Sequence, residues 1–130
     1  EIKSGKLKEL VKNNKLIVDG SHNEDGARVL NEYLKSLNCK KHIIIGMMFN
    51  KCHEKYIKYF KNISSLTTID IPNQPNSISG KDLKEKFKNM TNVKYQPNIK
   101  EAIKSIDLKE GDLLLITGSL YLAGEVLNLN

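Results

Sequence analysis

The stretch Leu16-Ile17-Val18-Asp19-Gly20-Ser21-His22-Asn23 sets an apolar run directly against residues that can each touch a ligand. A carboxylate such as Asp19, at the end of a strand, can accept hydrogen bonds from a ribose hydroxyl or an amine. Gly20 permits a tight turn, and the His22 imidazole donates or accepts near neutral pH. The competing role is structural, because Asp19 and Asn23 are also residues that turn a chain and cap a helix. No partner stands at ligand spacing from His22, which argues against a metal centre there. Glu24 and Asp25 follow at once and put negative charge where a phosphate loop would bind its anion.

Two further loops carry candidates. Thr117-Gly118-Ser119 follows an apolar run, and Ser119 there is a helix cap whose hydroxyl can also face a ligand. No acid follows until Glu125, so this helix start suits a carboxylate or phosphate better than the first loop does. The third loop is Gly46-Met47-Met48-Phe49-Asn50-Lys51-Cys52-His53. Its adjacent Cys52 and His53 suggest nucleophilic catalysis, yet neighbours on a helix diverge by about 100° and do not meet. Neither a Gly-x-x-x-x-Gly-Lys-Ser/Thr phosphate cradle nor a Gly-x-Gly-x-x-Gly turn is present.

These loops must be held by a sheet. Strand patterns at Lys15 to Asp19, His42 to Met47, Leu66 to Ile71, Val93 to Tyr95 and Leu113 to Thr117 alternate with helical ones, the order of a parallel sheet with crossover helices. Ala27, Leu30, Leu34 and Leu37 recur at helical spacing and predict a helix from about Glu24 to Leu37, capped by Asn23. Further helices are expected at His53 to Asn62, Gly80 to Asn89 behind Ser79, Ile99 to Ile106 behind Asn98, and Leu120 to about Leu127 behind Ser119. In such a sheet ligands bind at the carboxyl ends of the strands, where all three candidate loops fall.

Composition agrees with one soluble domain spanning 1–130. The 130 residues are 39% hydrophobic and 28% charged, and that length holds one core. The net charge of +6 comes from lysines scattered along the chain, with Arg28 the only arginine. A nucleic-acid groove wants clustered arginines with aromatic partners, so no nucleic-acid partner is expected. No run is apolar enough to cross a bilayer, and two cysteines, Cys39 and Cys52, fit a reducing cytoplasm. The absence of an initiating Met suggests a piece of something longer.

DGSHNEDGARVLNEYL, paired with LLLITGSLYLAGEVL near the end, resembles the carboxyl-terminal domain of folylpolyglutamate synthase/dihydrofolate synthase in the Mur ligase superfamily. The usual forms are close to DGAHNPDGARAL and VTGSLYLVGEVL. The resemblance implies a Rossmann-like three-layer α/β domain, with a mostly parallel sheet of about six strands and about five helices. It implies an ATP-dependent ligase of folate metabolism, in which a carboxylate of dihydropteroate or of a folate glutamate tail becomes an acyl phosphate and the amine of L-glutamate displaces phosphate. The phosphate loop, the Mg²⁺ ligands and the pterin pocket would lie in a preceding amino-terminal domain. The present domain would supply contacts to ATP and glutamate and be inactive alone.

Carried over position by position, the resemblance puts Asp19 on the ATP ribose side, His22 near the phosphates and the incoming glutamate, and Ser119 at the glutamate. Three departures stand out. Ser4-Gly5-Lys6-Leu7 offers Lys6 where relatives have Gly-Arg reaching ATP phosphates, which keeps the charge and loses the planar fork. Glu24 replaces the usual proline. Asn50-Lys51-Cys52 replaces Asp-Lys-Asp and loses two carboxylates, which motivates an alternative: a non-catalytic nucleotide-binding or partner-binding remnant of such a ligase.

Overall fold

A computed structural model of the chain describes residues 1–90 and 92–130. Five strands, β1 (Lys15–Val18), β2 (Lys41–Ile45), β3 (Ser65–Thr68), β4 (Val93–Tyr95) and β5 (Leu113–Thr117), form one sheet in the order β1-β5-β2-β3-β4. Every pairing between these strands is parallel. The last strand therefore inserts between the first and second, and all five of its residues are buried. Its LLLIT run is apolar enough to be covered on both faces, as an interior parallel strand must be.

Six helices cover the sheet. Helices α2 (Glu24–Lys35), α3 (His53–Ile57) and α4 (Gly80–Lys86) bury Leu30, Leu34, Tyr56 and Leu83 against Ile17, Ile43, Ile45 and Leu115 on one face. Helices α1 (Lys6–Val11), α5 (Ile99–Ser105) and α6 (Leu120–Leu129) bury Leu7, Val11, Ile103 and Leu122 against Leu16, Ile44, Leu114 and Ile116 on the other. The strand residues divide with a period of two, and the result is the three-layer Rossmann-like arrangement.

All four anticipated caps form. Side-chain oxygens of Asn23, Ser79, Asn98 and Ser119 accept from the N–H groups of Gly26, Asp82, Glu101 and Tyr121 respectively. Helix α3 is shorter than the pattern predicts, ending at Ile57 rather than Asn62. Tighter turns replace its second half: the Phe60 N–H reaches back to Ile57 O, and Asn62 adopts a left-handed φ of 58°. Tyr56, Ile57 and Phe60 stay buried through that change.

The described residues form five strands where the resemblance implies about six. In place of another strand, Ile2 makes a single antiparallel bridge to Leu16 on the open side of β1. Helix α1 brings the helices to six against an implied five. It is held from the far end of the chain, since Asn130 Oδ1 accepts from the N–H groups of Leu7 and Lys8.

Candidate functional site at the carboxyl edge

The loops that follow β1, β2 and β5 lie side by side at the carboxyl edge because those three strands are neighbours. The Asp19 N–H donates to Ile116 O at 3.0 Å, carrying the β1–β5 ladder one residue past β1. The Asp19 carboxylate then turns the chain by accepting from the Ser21 N–H at 2.8 Å. A Cβ at Gly20 would fall 2.5 Å from Leu120 Cδ2, so the first loop lies directly against the start of α6. Gly118, at φ 115°, is the matching constraint across the edge, where a Cβ would fall 2.4 Å from Gly46 O.

His22 is half-buried, and its Nδ1 is shut away from solvent without a hydrogen-bond partner. An imidazole nitrogen in that position normally finds a partner. The ring borders a cleft of ≈ 440 Å³ shared with Asn23, Asp25, Asn50, Lys51, Cys52 and Lys55. Glu24 also lines this cleft, so its two acids and two lysines balance in charge. Asn50 and Cys52, the two positions where carboxylates are missing, therefore stand in the same cleft as His22.

Asp19 faces a neighbouring cleft of ≈ 580 Å³ with Val18, Ser21, Val29 and Tyr33. Ser119 lines neither. It is 2% exposed, and its Oγ accepts from the N–H groups of Tyr121 and Leu122 at 3.0 and 3.5 Å. Asp19, His22 and Ser119 thus share one rim of the sheet, but the first two open into adjacent clefts and the third is enclosed as a cap. Lys6 is not at this rim. It is exposed at the first position of α1, where its N–H donates to Asn130 O at the end of α6. The ten residues of α6 carry that point about 15 Å from the carboxyl edge. The expected reach of Lys6 to ATP phosphates therefore starts apart from the rim that carries Asp19 and His22, from the first turn of α1.

Cys52 is exposed, whereas His53 is buried and its Nε2 lies 2.9 Å from Met48 O, so the two do not form a pair. Both cysteines are free. No group of three His, Cys, Asp or Glu side chains converges among the described residues. Among the described residues no helix is long and apolar enough to cross a membrane.

The main polar element that local sequence patterns do not reveal is Tyr56. Its hydroxyl lies 2.8 Å from Ser21 Oγ and 2.7 Å from Thr117 Oγ1, sharing a hydrogen bond with each. Burial pushes its pKa up to about 12; bonds to Ser21 and Thr117 work against this, and the Asp19 charge adds to it. Tyr56 reads from sequence as an inward-packing aromatic, which it is, and only the serine in DGSHN, where alanine is usual, hints at the hydroxyl chain.

The family described as "Mur ligase, glutamate ligase domain" matches residues 7–120. The chain belongs to this Mur ligase family. The glutamate ligase domain is 26% identical over 126 residues to the dihydrofolate synthase/folylpolyglutamate synthase of Bacillus subtilis (strain 168), covering 94% of this chain and 29% of that protein. It superimposes with a TM-score of 0.78 on the folylpolyglutamate synthase of Thermotoga maritima, 29% identical, over 90% of this chain and 28% of the other. An E. coli FolC in complex with ADP, without folate substrate, gives the same TM-score at 22% identity, over 90% of this chain and 29% of the other. The glutamate ligase domain accordingly matches the carboxyl-terminal domain of folylpolyglutamate synthases and spans under a third of the length of these relatives.

Proposed function

We propose that this chain is the nucleotide- and glutamate-contacting domain of an ATP-dependent, cytoplasmic folylpolyglutamate synthase/dihydrofolate synthase. The observation that carries the reading is His22 Nδ1, a buried imidazole nitrogen left unpaired at the rim of a cleft that also holds Lys51 and Lys55. Such a nitrogen suits an oxygen-rich ligand entering from outside the domain.

In the family reaction ATP activates a carboxylate as an acyl phosphate, and the amine of L-glutamate displaces phosphate to form an amide. The chain's own residues bind and orient. Asp19 offers carboxylate oxygens to hydroxyls, while His22 and the two lysines face anionic groups. The rim that carries Ser119 offers the start of α6, whose first turn holds no acid and so favours a carboxylate. Mg²⁺ ligands are assigned to a preceding domain.

The test is to join the chain to the domain that precedes it in the intact protein and to measure glutamate- and folate-dependent phosphate release. Turnover is expected, with His22→Ala lowering it by about a hundredfold, the lower range for a positioned acid–base or electrostatic group. A folded, intact protein without folate-dependent turnover overturns the proposal. It would favour the second reading, a binding remnant, which draws on Asn50 and Cys52 replacing two carboxylates beside His22. An upstream reading frame lacking a phosphate loop would favour it too.

A further inference from the structure

We infer that Tyr56 is a positioning residue for the Asp19–His22 loop, acting through a chain of three hydroxyls and not by touching a substrate; this rests on the ligase reading above. Ser21 is held at three points. Its N–H is bound by Asp19 Oδ1 at 2.8 Å, its Oγ by the Tyr56 hydroxyl at 2.8 Å, and its Cβ packs on Gly26, where an added Cβ would fall 2.5 Å away. The other end of the chain is Thr117 Oγ1, 2.7 Å from the Tyr56 hydroxyl and 1% exposed at the end of the interior strand β5. Tyr56 itself is 1% exposed, with its ring tilted against Phe60 at 5.4 Å between centroids. The loop is thereby tied to two buried side chains of the fold's interior.

His22 is the residue after this clamp. Its Nδ1 makes no hydrogen bond, so the clamp on Ser21 is what aims the imidazole. Catalytic and binding groups need such support, because an orientation left to a mobile loop loses affinity for whatever it faces. The phenol keeps its proton at any working pH, since burial holds its pKa near 12. The Tyr56 arm of the clamp is therefore neutral over the range in which the ligase would work.

The experiment uses the intact ligase carrying this domain, with Tyr56→Phe, Ser21→Ala and the double variant. Tyr56→Phe is expected to lower kcat/KM for ATP about tenfold, the scale of one net hydrogen bond, with the loss showing in kcat as well as in KM because His22 is misaimed. Ser21→Ala should do the same, and the double variant should be no worse than either single one, because both cut one chain. Ser21→Ala leaves the core untouched and keeps the test open where Tyr56→Phe does not fold. An active ligase in which these variants lower the melting temperature but match the wild type in KM and kcat overturns the inference alone. Additive effects in the double variant overturn it as well. An intact wild-type protein with no folate-dependent turnover removes the ligase reading and this inference with it.

Discussion

Ser119 shows how a single hydroxyl can be claimed by two roles. Its residue type and place after a strand suit a ligand contact, yet the side chain is enclosed and its oxygen already accepts from Tyr121 and Leu122. The measurable role within the chain is the cap. Ser119→Ala removes the acceptor and leaves two amide groups at the first turn of α6 without it, at a cost of about 1 kcal/mol. A urea titration should show a lower midpoint with an unchanged slope, and amides in the first turn of α6 should exchange faster with solvent. Asp19 differs from Ser119 in keeping a face to a cleft even while it binds the Ser21 N–H. His22 differs again, because nothing among the described residues satisfies Nδ1.

Among the elements, α1 is the one the sequence pattern does not announce. KLKELV is six residues long, and Leu7 and Val11 are its only buried side chains. A helix that short is marginal on propensity alone. Its start is secured instead by Asn130, whose Oδ1 takes two α1 amide protons and whose Nδ2 donates to Ser4 O at 2.8 Å. Asn130→Ala should cost about 1–2 kcal/mol, in the range of a lost cap, and the exchange of the Leu7 and Lys8 amides should accelerate selectively. Local patterns cannot show a cap supplied from more than 120 residues away. The helices legible from sequence were those whose caps lie within three residues of their first turn, behind Asn23, Ser79, Asn98 and Ser119. The short α3 marks the opposite limit: its aromatic spacing continues past Ile57, but the backbone turns at Lys58 and the same side chains reach the core through turns.

For the molecule as a whole, the amino-terminal end of the sheet carries a polar cross-link opposite the candidate site. His42 Nδ1 lies 2.7 Å from Ser65 Oγ and its Nε2 3.1 Å from Asp112 Oδ2, joining β2, β3 and the start of β5. Burial alone would raise the Asp112 pKa, but the Lys109 N–H, His42 and the charge of Lys40 outweigh it and hold the carboxyl below its usual value. A folded-state pKa below the unfolded one contributes stability that is fully present above the unfolded value, near pH 4, and is lost as pH falls through the folded value. Denaturant midpoints measured across that window should fall with acid in the wild type, and Asp112→Asn should flatten the fall. Strand positions and the layer order were legible because burial on two faces leaves unbroken apolar runs such as LLLIT. Strand order was not, since nothing local in β5 states that it inserts between β1 and β2. For the same reason the common rim of Asp19, His22 and Ser119 was foreseeable, whereas its division into two clefts and a closed cap was not.

The place of β5 between β1 and β2 also sets a timetable. During synthesis β1, β2, β3 and β4 leave the ribosome long before the strand that must lie between the first two, so β1 waits without its neighbour while about a hundred residues are added. Long-range pairing of this kind closes slowly, and the nascent chain exposes the apolar Leu16 and Ile17 meanwhile. The carboxyl edge, against which the loop that carries His22 rests, is complete only once β5 has inserted between β1 and β2.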